Sequence, residues 1–218
     1  MEIDFGDGFF LRRATAADDK AICRVCLLTG DAGQDASARE DDPNLLGQIY
    51  CLPYRVLEPD FAFVVDSPDG VCGYVFGAPD TVQFNNRLAG EWYPGLRDGL
   101  DDPGPDSAAW RGSDWARRMI HHPEPVDPGV VADYPSHCHI DLLESARGRG
   151  IGRAAMIFLM QRLGDAGSNG MHLDVDPRNV RAREFYARLG FAPLLASEPL
   201  ARSRLIARRL PLEGADHL

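Results

Sequence analysis

Ile140-Asp141-Leu142-Leu143, followed by Arg147-Gly148-Arg149-Gly150-Ile151-Gly152, is the stretch on which the fold turns. An apolar run of strand character leads into R-x-x-G-x-G. A helical pattern of Ile151, Ala155, Phe158 and Leu159 opens directly after it. A glycine-rich turn between a strand and a helix leaves backbone N–H groups free at the positive end of the helix dipole. That arrangement binds phosphate or pyrophosphate. Glycine is required where a Cβ would keep phosphate oxygens from the backbone. A Walker loop is excluded, because its lysine is missing and the chain's only lysine is Lys20. A dinucleotide fingerprint fails as well, since its third glycine falls on Arg153.

Downstream, Met171-His172-Leu173-Asp174-Val175 alternates as a strand does. Asn179 then starts a helix whose apolar positions are Ala182, Phe185, Tyr186 and Leu189, and Gly190 closes it. The two halves together resemble the GNAT superfamily of acyl-CoA-dependent N-acyltransferases. That pattern is a strand, R/Q-x-x-G-x-G/A, a helix, a second strand, then N-x-x-A-x-x-x-Y-x-x-x-G-F. Arg147, Gly150, Gly152, Asn179, Ala182, Tyr186, Gly190 and Phe191 fill its positions. Cys138-His139-Ile140-Asp141-Leu142-Leu143 and the His-Leu-Asp-Val strand are similar to bacterial relatives of the acetyltransferase-like C-terminal domain of O-GlcNAcase. The eukaryotic form of that domain has a degraded glycine loop, whereas this chain keeps the loop intact.

The resemblance implies an α/β GNAT fold. A mixed sheet of about seven strands would carry helices on both faces and split between strands 4 and 5. Phe9 to Thr15 reads as the first strand, and Thr15-Ala16-Ala17-Asp18 has capping-box form with Asp in place of Glu or Gln. Ile22, Val25, Cys26 and Leu28 mark a helix. Phe61–Val65 and Val71–Phe76 form a hairpin, and Arg204 to Arg208 the last strand. One domain over 1–218 is expected, with an insertion at about 79–135. The insertion holds Trp92, Trp110 and Trp115, which are all the tryptophans. Such an aromatic segment should fold onto the body rather than stay disordered. Phe84 to Leu96 and Ser107 to Ile120 could each be a helix within it. The insertion is either a lid over the acceptor site, a contact in a homodimer, or a packed elaboration.

The resemblance also implies the chemistry. Acetyl-CoA would be the co-substrate and an amine the acceptor, attacked directly. Arg147, Gly148, Arg149, Gly150, Ile151, Gly152 and Arg153 would hold the pyrophosphate. Asp141, Leu142 and Leu143 would line the pantetheine arm, and an N–H near Leu142 would polarise the thioester carbonyl. Asn179 would contact the arm, or cap its helix, or both. Tyr186 is the candidate general acid, because a phenol matches the basicity of a leaving thiolate. His139 and Asp141 are the candidates for the base. They alternate with His137 on one strand face, and imidazole titrates near neutrality. A CoA-binding module without catalysis, acting as a sensor or a protein partner, stays open beside the enzyme.

A net charge of −10 argues against nucleic acid, and no apolar run is long enough to span a bilayer. The acceptor would be a small-molecule or peptide amine. Five cysteines without framework spacing suggest a reduced, cytoplasmic setting. Cys23-x-x-Cys26 falls in a helical apolar pattern and reads as core. His121 and His122 have no fixed geometry toward His137 or His139, so no metal site is expected.

Overall fold

The computed structural model describes residues 3–194 and 204–211. At its centre lies one eight-stranded sheet in the order β1-β2-β3-β4-β5-β6-β8-β7. The strands are β1 (Ile3–Gly6), β2 (Phe9–Arg13), β3 (Ala62–Ser67), β4 (Gly70–Ala78), β5 (Ser136–Leu142), β6 (Gly170–Val175), β7 (Ala192–Pro193) and β8 (Arg204–Arg209). All neighbours run antiparallel except β5 and β6, which are parallel.

Helices cover both faces. The first face carries α1 (Asp19–Thr29), α2 (Leu45–Tyr50) and α3 (Leu52–Leu57). The same segment of chain order continues with α4 (Thr81–Arg87), α5 (Tyr93–Arg97), α6 (Asp114–His121) and α7 (Pro128–Asp133). The second face carries α8 (Ile151–Asp165) and α9 (Val180–Arg188). β3 shows why two layers are needed. Phe63 and Val65 point to the α8 side, Ala62 and Val64 to the α1 side, and all four are at most 1 % exposed. α8 answers with Ile151, Ala155, Met156, Leu159, Met160 and Leu163, all buried.

The sheet has one strand more than expected. Ile3–Gly6 pairs back onto β2 through a tight turn with positive φ at Asp7 and Gly8. Four residues that alternate between half-buried and exposed make too short a run to announce a strand. With β1 counted, the expected split falls between β5 and β6. The hairpin, the helix after Thr15, the strand around Leu173 and the strand from Arg204 lie where their patterns placed them, within the usual boundary shifts.

The insertion folds onto the first face. Phe84, Leu88, Tyr93, Ala116 and Ile120 are buried with α1 and α2. Trp92 Nε1 donates to the Gln48 carbonyl at 2.8 Å, and Trp115 Nε1 reaches Glu40 at 3.2 Å. Its first helical stretch runs through α4, a π turn at Leu88–Trp92 and α5. The second is shorter than the expected span from Ser107. Gly112 takes φ +49, and the Ser113 N–H is held by Asp41 Oδ1 at 2.8 Å, so α6 begins only at Asp114. A partner 72 residues away in sequence sets that start. Among the described residues no helix is long and apolar enough to cross a membrane.

Candidate active site

β5 pairs with β6 at only two rungs, Ser136↔Met171 and His137↔His172. Beyond them the strands diverge, while β5 stays paired to β4 through Leu142. The direction of the backbone groups follows from that ladder. The Leu143 N–H donates to the Cys72 carbonyl at 2.8 Å. Groups alternate sides along an antiparallel strand, so the N–H groups of Ile140 and Leu142 point away from β4, into the gap. Among the described residues no strand pairs with that edge. The Leu142 carbonyl accepts from Arg147 Nε at 2.7 Å.

The glycine loop closes the end of the gap. After a 3-10 turn at Glu144–Ala146, Gly148 takes φ +74 and Gly150 takes φ +78. No atom lies within 4 Å of where a Cβ on either would stand, which leaves an open cradle over the N-terminus of α8. The first helical bond there runs from Ala154 N–H to the Gly150 carbonyl. The preceding N–H groups, Ile151, Gly152 and Arg153, belong to the unpaired first turn. Gly152 has a different reason to be glycine. Its Cβ would stand 3.3 Å from Leu142 Cδ1 and 3.5 Å from the Phe185 ring. It lets α8 approach β5 and α9. The two arginines before the helix are partly spent on the fold. Arg147 Nη2 donates to the Gly33 carbonyl at 3.3 Å. Arg149 donates to the Ser145 carbonyl and reaches Asp7, with its guanidinium 4.6 Å over the Phe9 ring. Arg153 is exposed.

α9 forms the far wall. Asn179 Oδ1 accepts from the Ala182 N–H at 3.0 Å, so the capping role is realised. Its amide also packs against the α1–α2 loop at Gly33. Tyr186 is buried between the edges of Phe185 and Phe191. Burial, then the nearby charges of Cys138 and Asp141, push its phenol well above its ordinary value, so it stays protonated.

On the opposite face His137, His139 and Asp141 share one side of β5, as their alternation required. Their environments part them. His137 Nδ1 lies 2.8 Å from Thr81 Oγ1 among Tyr54, Phe84 and His172, and burial lowers it to about 3. His139 stacks between Tyr50 and Tyr74, with centroids 5.6 and 5.5 Å away. Burial opposes its charge, but the Asp141 carboxylate and the Cys26 sulfur beside it raise it to about 10. Asp141 Oδ2 lies 3.1 Å from His139 Nε2 and accepts from the Tyr74 hydroxyl at 2.6 Å. His121 and His122 sit apart, on the Leu100 carbonyl and on Asp102.

Tyr74, Tyr50 and Cys51 were not among the expected site residues. Tyr74 lies in a strand that reads as plain core, and only its pairing opposite Asp141 gives its hydroxyl a partner. Trp115 stacks on Tyr50 at 6.3 Å, so the insertion reaches the site through one ring.

Residues 125–191 match the model of the acetyltransferase (GNAT) family. Protein O-GlcNAcase of Rattus norvegicus is 23% identical over 192 residues, covering 88% of this chain and 21% of that protein. The mouse protein matches equally. The chain thus spans about a fifth of the length of the curated relatives it matches. The crystal structure of SsHAT superposes with a TM-score of 0.83 at 33% identity, over 93% of this chain and 98% of that one. A phosphinothricin acetyltransferase of Sinorhizobium meliloti, solved in complex with AcCoA, shares the fold. It has a TM-score of 0.52 at 19% identity, over 93% of this chain and 89% of that one. With its diverging parallel strands, glycine cradle and capped α9, the chain belongs to the GNAT acetyltransferase family.

Proposed function

We propose that the chain is an N-acetyltransferase that passes an acetyl group from acetyl-CoA to a cationic amine, a small molecule or a peptide. One observation carries this reading. The unpaired edge of β5 runs from the glycine cradle to a point where Tyr186 lies on one face of the sheet and Asp141 on the other. A donor entering along the edge and an acceptor entering across it would meet there.

Acetyl-CoA, when bound, supplies an acetyl thioester. The free N–H groups at the start of α8, with Gly148 and Gly150, fit its pyrophosphate. Arg149 and Arg153 flank that end. Ile140, Leu142, Leu143 and Asn179 line the arm. The Leu142 N–H hydrogen-bonds the thioester oxygen and stabilises the charge that develops on it. Asp141 attracts the ammonium form of the acceptor and takes its proton, with Tyr74 and His139 keeping the carboxylate in place. As the new C–N bond forms and the C–S bond breaks, Tyr186 gives its proton to the sulfur. Tyr50 and Trp115 make the acceptor wall, which gives the insertion a part in choosing the amine. Buried, unpaired thiols suit a reducing cytoplasm.

The test measures acetyl-CoA binding by calorimetry and thiol release over a panel of amines. Binding with turnover on at least one amine supports the reading. Binding without turnover on any would favour a CoA-responsive module, and no binding would remove both.

A further inference from the structure

Cys26 and Cys51 are far apart in sequence yet adjacent in space. Cys26 sits on the third turn of α1, 2 % exposed, and Cys51 at the break between α2 and α3, fully buried. The break has a local cause, since Pro53 lacks the N–H that would carry α2 onward. One ring nitrogen of His139, on β5, completes the group. The three donor atoms all lie within 4.8 Å of one another. Among the described residues this is the one cluster of three such groups.

Two buried thiols alone would be ordinary core. The imidazole is different. His139 Nε2 is buried and makes no hydrogen bond of proper geometry, although Asp141 Oδ2 stands 3.1 Å away. A buried polar atom left without a bond is costly and calls for an explanation. Asp141 is itself fixed by the Tyr74 hydroxyl.

We propose that Cys26, Cys51 and His139 bind a divalent cation of borderline softness, Zn²⁺. Two thiolates and an imidazole are the donor set that selects such an ion over magnesium or calcium. A tetrahedral zinc site places these donors about 3.5–3.8 Å apart, so the group needs to close by at most about 1 Å. Three protein donors leave a fourth position. The ion would tie α1, the α2–α3 break and β5 together at the back of the acceptor face. Binding releases the thiol protons to solvent.

The full chain, reduced and stripped with chelator, would be titrated with Co²⁺ and then with Zn²⁺. One equivalent of Co²⁺ should give a thiolate charge-transfer band and tetrahedral visible bands, both abolished by one equivalent of Zn²⁺. Cys51→Ser and Cys26→Ser should lose the charge-transfer band, and Cys72→Ser should keep it. If the cysteine variants do not fold, X-ray absorption on the zinc-loaded wild type decides. Two sulfurs at about 2.3 Å and a nitrogen at about 2.0–2.1 Å support the site. Loading far below one equivalent, a shell of nitrogen and oxygen only, or a band that survives in folded Cys26→Ser/Cys51→Ser would overturn it. None of these readouts depends on acetyl transfer, so the metal site can fail while the transferase reading stands.

Discussion

The hydroxyl of Tyr74 donates to Asp141 Oδ2 across 2.6 Å, and the two residues face each other directly on β4 and β5. Tyr74 is fully buried, and Asp141 is half-buried at the open edge of its strand. The bond therefore anchors a half-buried carboxylate to a fully buried ring.

Tyr74→Phe keeps the ring and removes that bond. A hydrogen bond to a charged group contributes about 1.5–3 kcal/mol, and the low end applies because water can reach Asp141. Urea unfolding should show the loss as a lower midpoint with an unchanged slope. Turnover should fall further than acetyl-CoA affinity. A variant of wild-type stability and rate would show that Asp141 does not depend on Tyr74.

Tyr186→Phe removes the proposed acid without creating a cavity. Turnover should drop about 10²-fold or more, with little change in cofactor affinity. Full turnover on the true acceptor would take Tyr186 out of the mechanism.

Gly150→Glu should fold and fail to bind acetyl-CoA. Nothing stands within 4 Å of the new Cβ, so packing is spared. The φ of +78 costs about 1–2 kcal/mol for a side-chain-bearing residue, and the new carboxylate occupies and repels at the cradle. Calorimetry with circular dichroism as the folding control checks this. Equal affinity in a folded variant would place the pyrophosphate elsewhere.

Acid should weaken the fold partly through Asp18. It is bound in a fork by Arg12 at 2.8 Å, and that bond holds its carboxyl down at about 2 against an ordinary 3.8. A depressed carboxyl contributes stability that is complete above about pH 4 and is lost as pH falls toward 2. Asp18→Asn should cost about 1.5–3 kcal/mol at pH 7, because it removes the charged fork while Arg12 keeps its bond to Asp66. It should also flatten the wild-type decline between pH 4 and pH 2. The measurement is unfolding free energy against pH. A parallel decline in wild type and variant would assign the acid limb to other groups.

Local chemistry alone determined the C-terminal half of this protein's sheet and helices around the glycine loop. The glycine loop, the Asn179 cap, the Gly190 stop and the apolar face of α8 each depend on residues within one or two turns of each other. Backbone propensity and helix periodicity record such relations directly in the order of residues. Even the face shared by His137, His139 and Asp141 follows from the two-residue repeat of a strand. Periodicity could not say which of the three would stay charged. That depends on Thr81 and Tyr54 surrounding one ring, and on Tyr74, Asp141 and Cys26 surrounding another. The start of α6 was hidden for the same reason, because Asp41 sets it from a distant loop. The short edge strand β1 was hidden because a four-residue hairpin arm is stabilised by its pairing rather than by its own pattern. Only the tertiary structure decided that Cys26 and Cys51 meet His139. Contacts between elements far apart in sequence have no period, and the environment they build sets the charge and reactivity of each group.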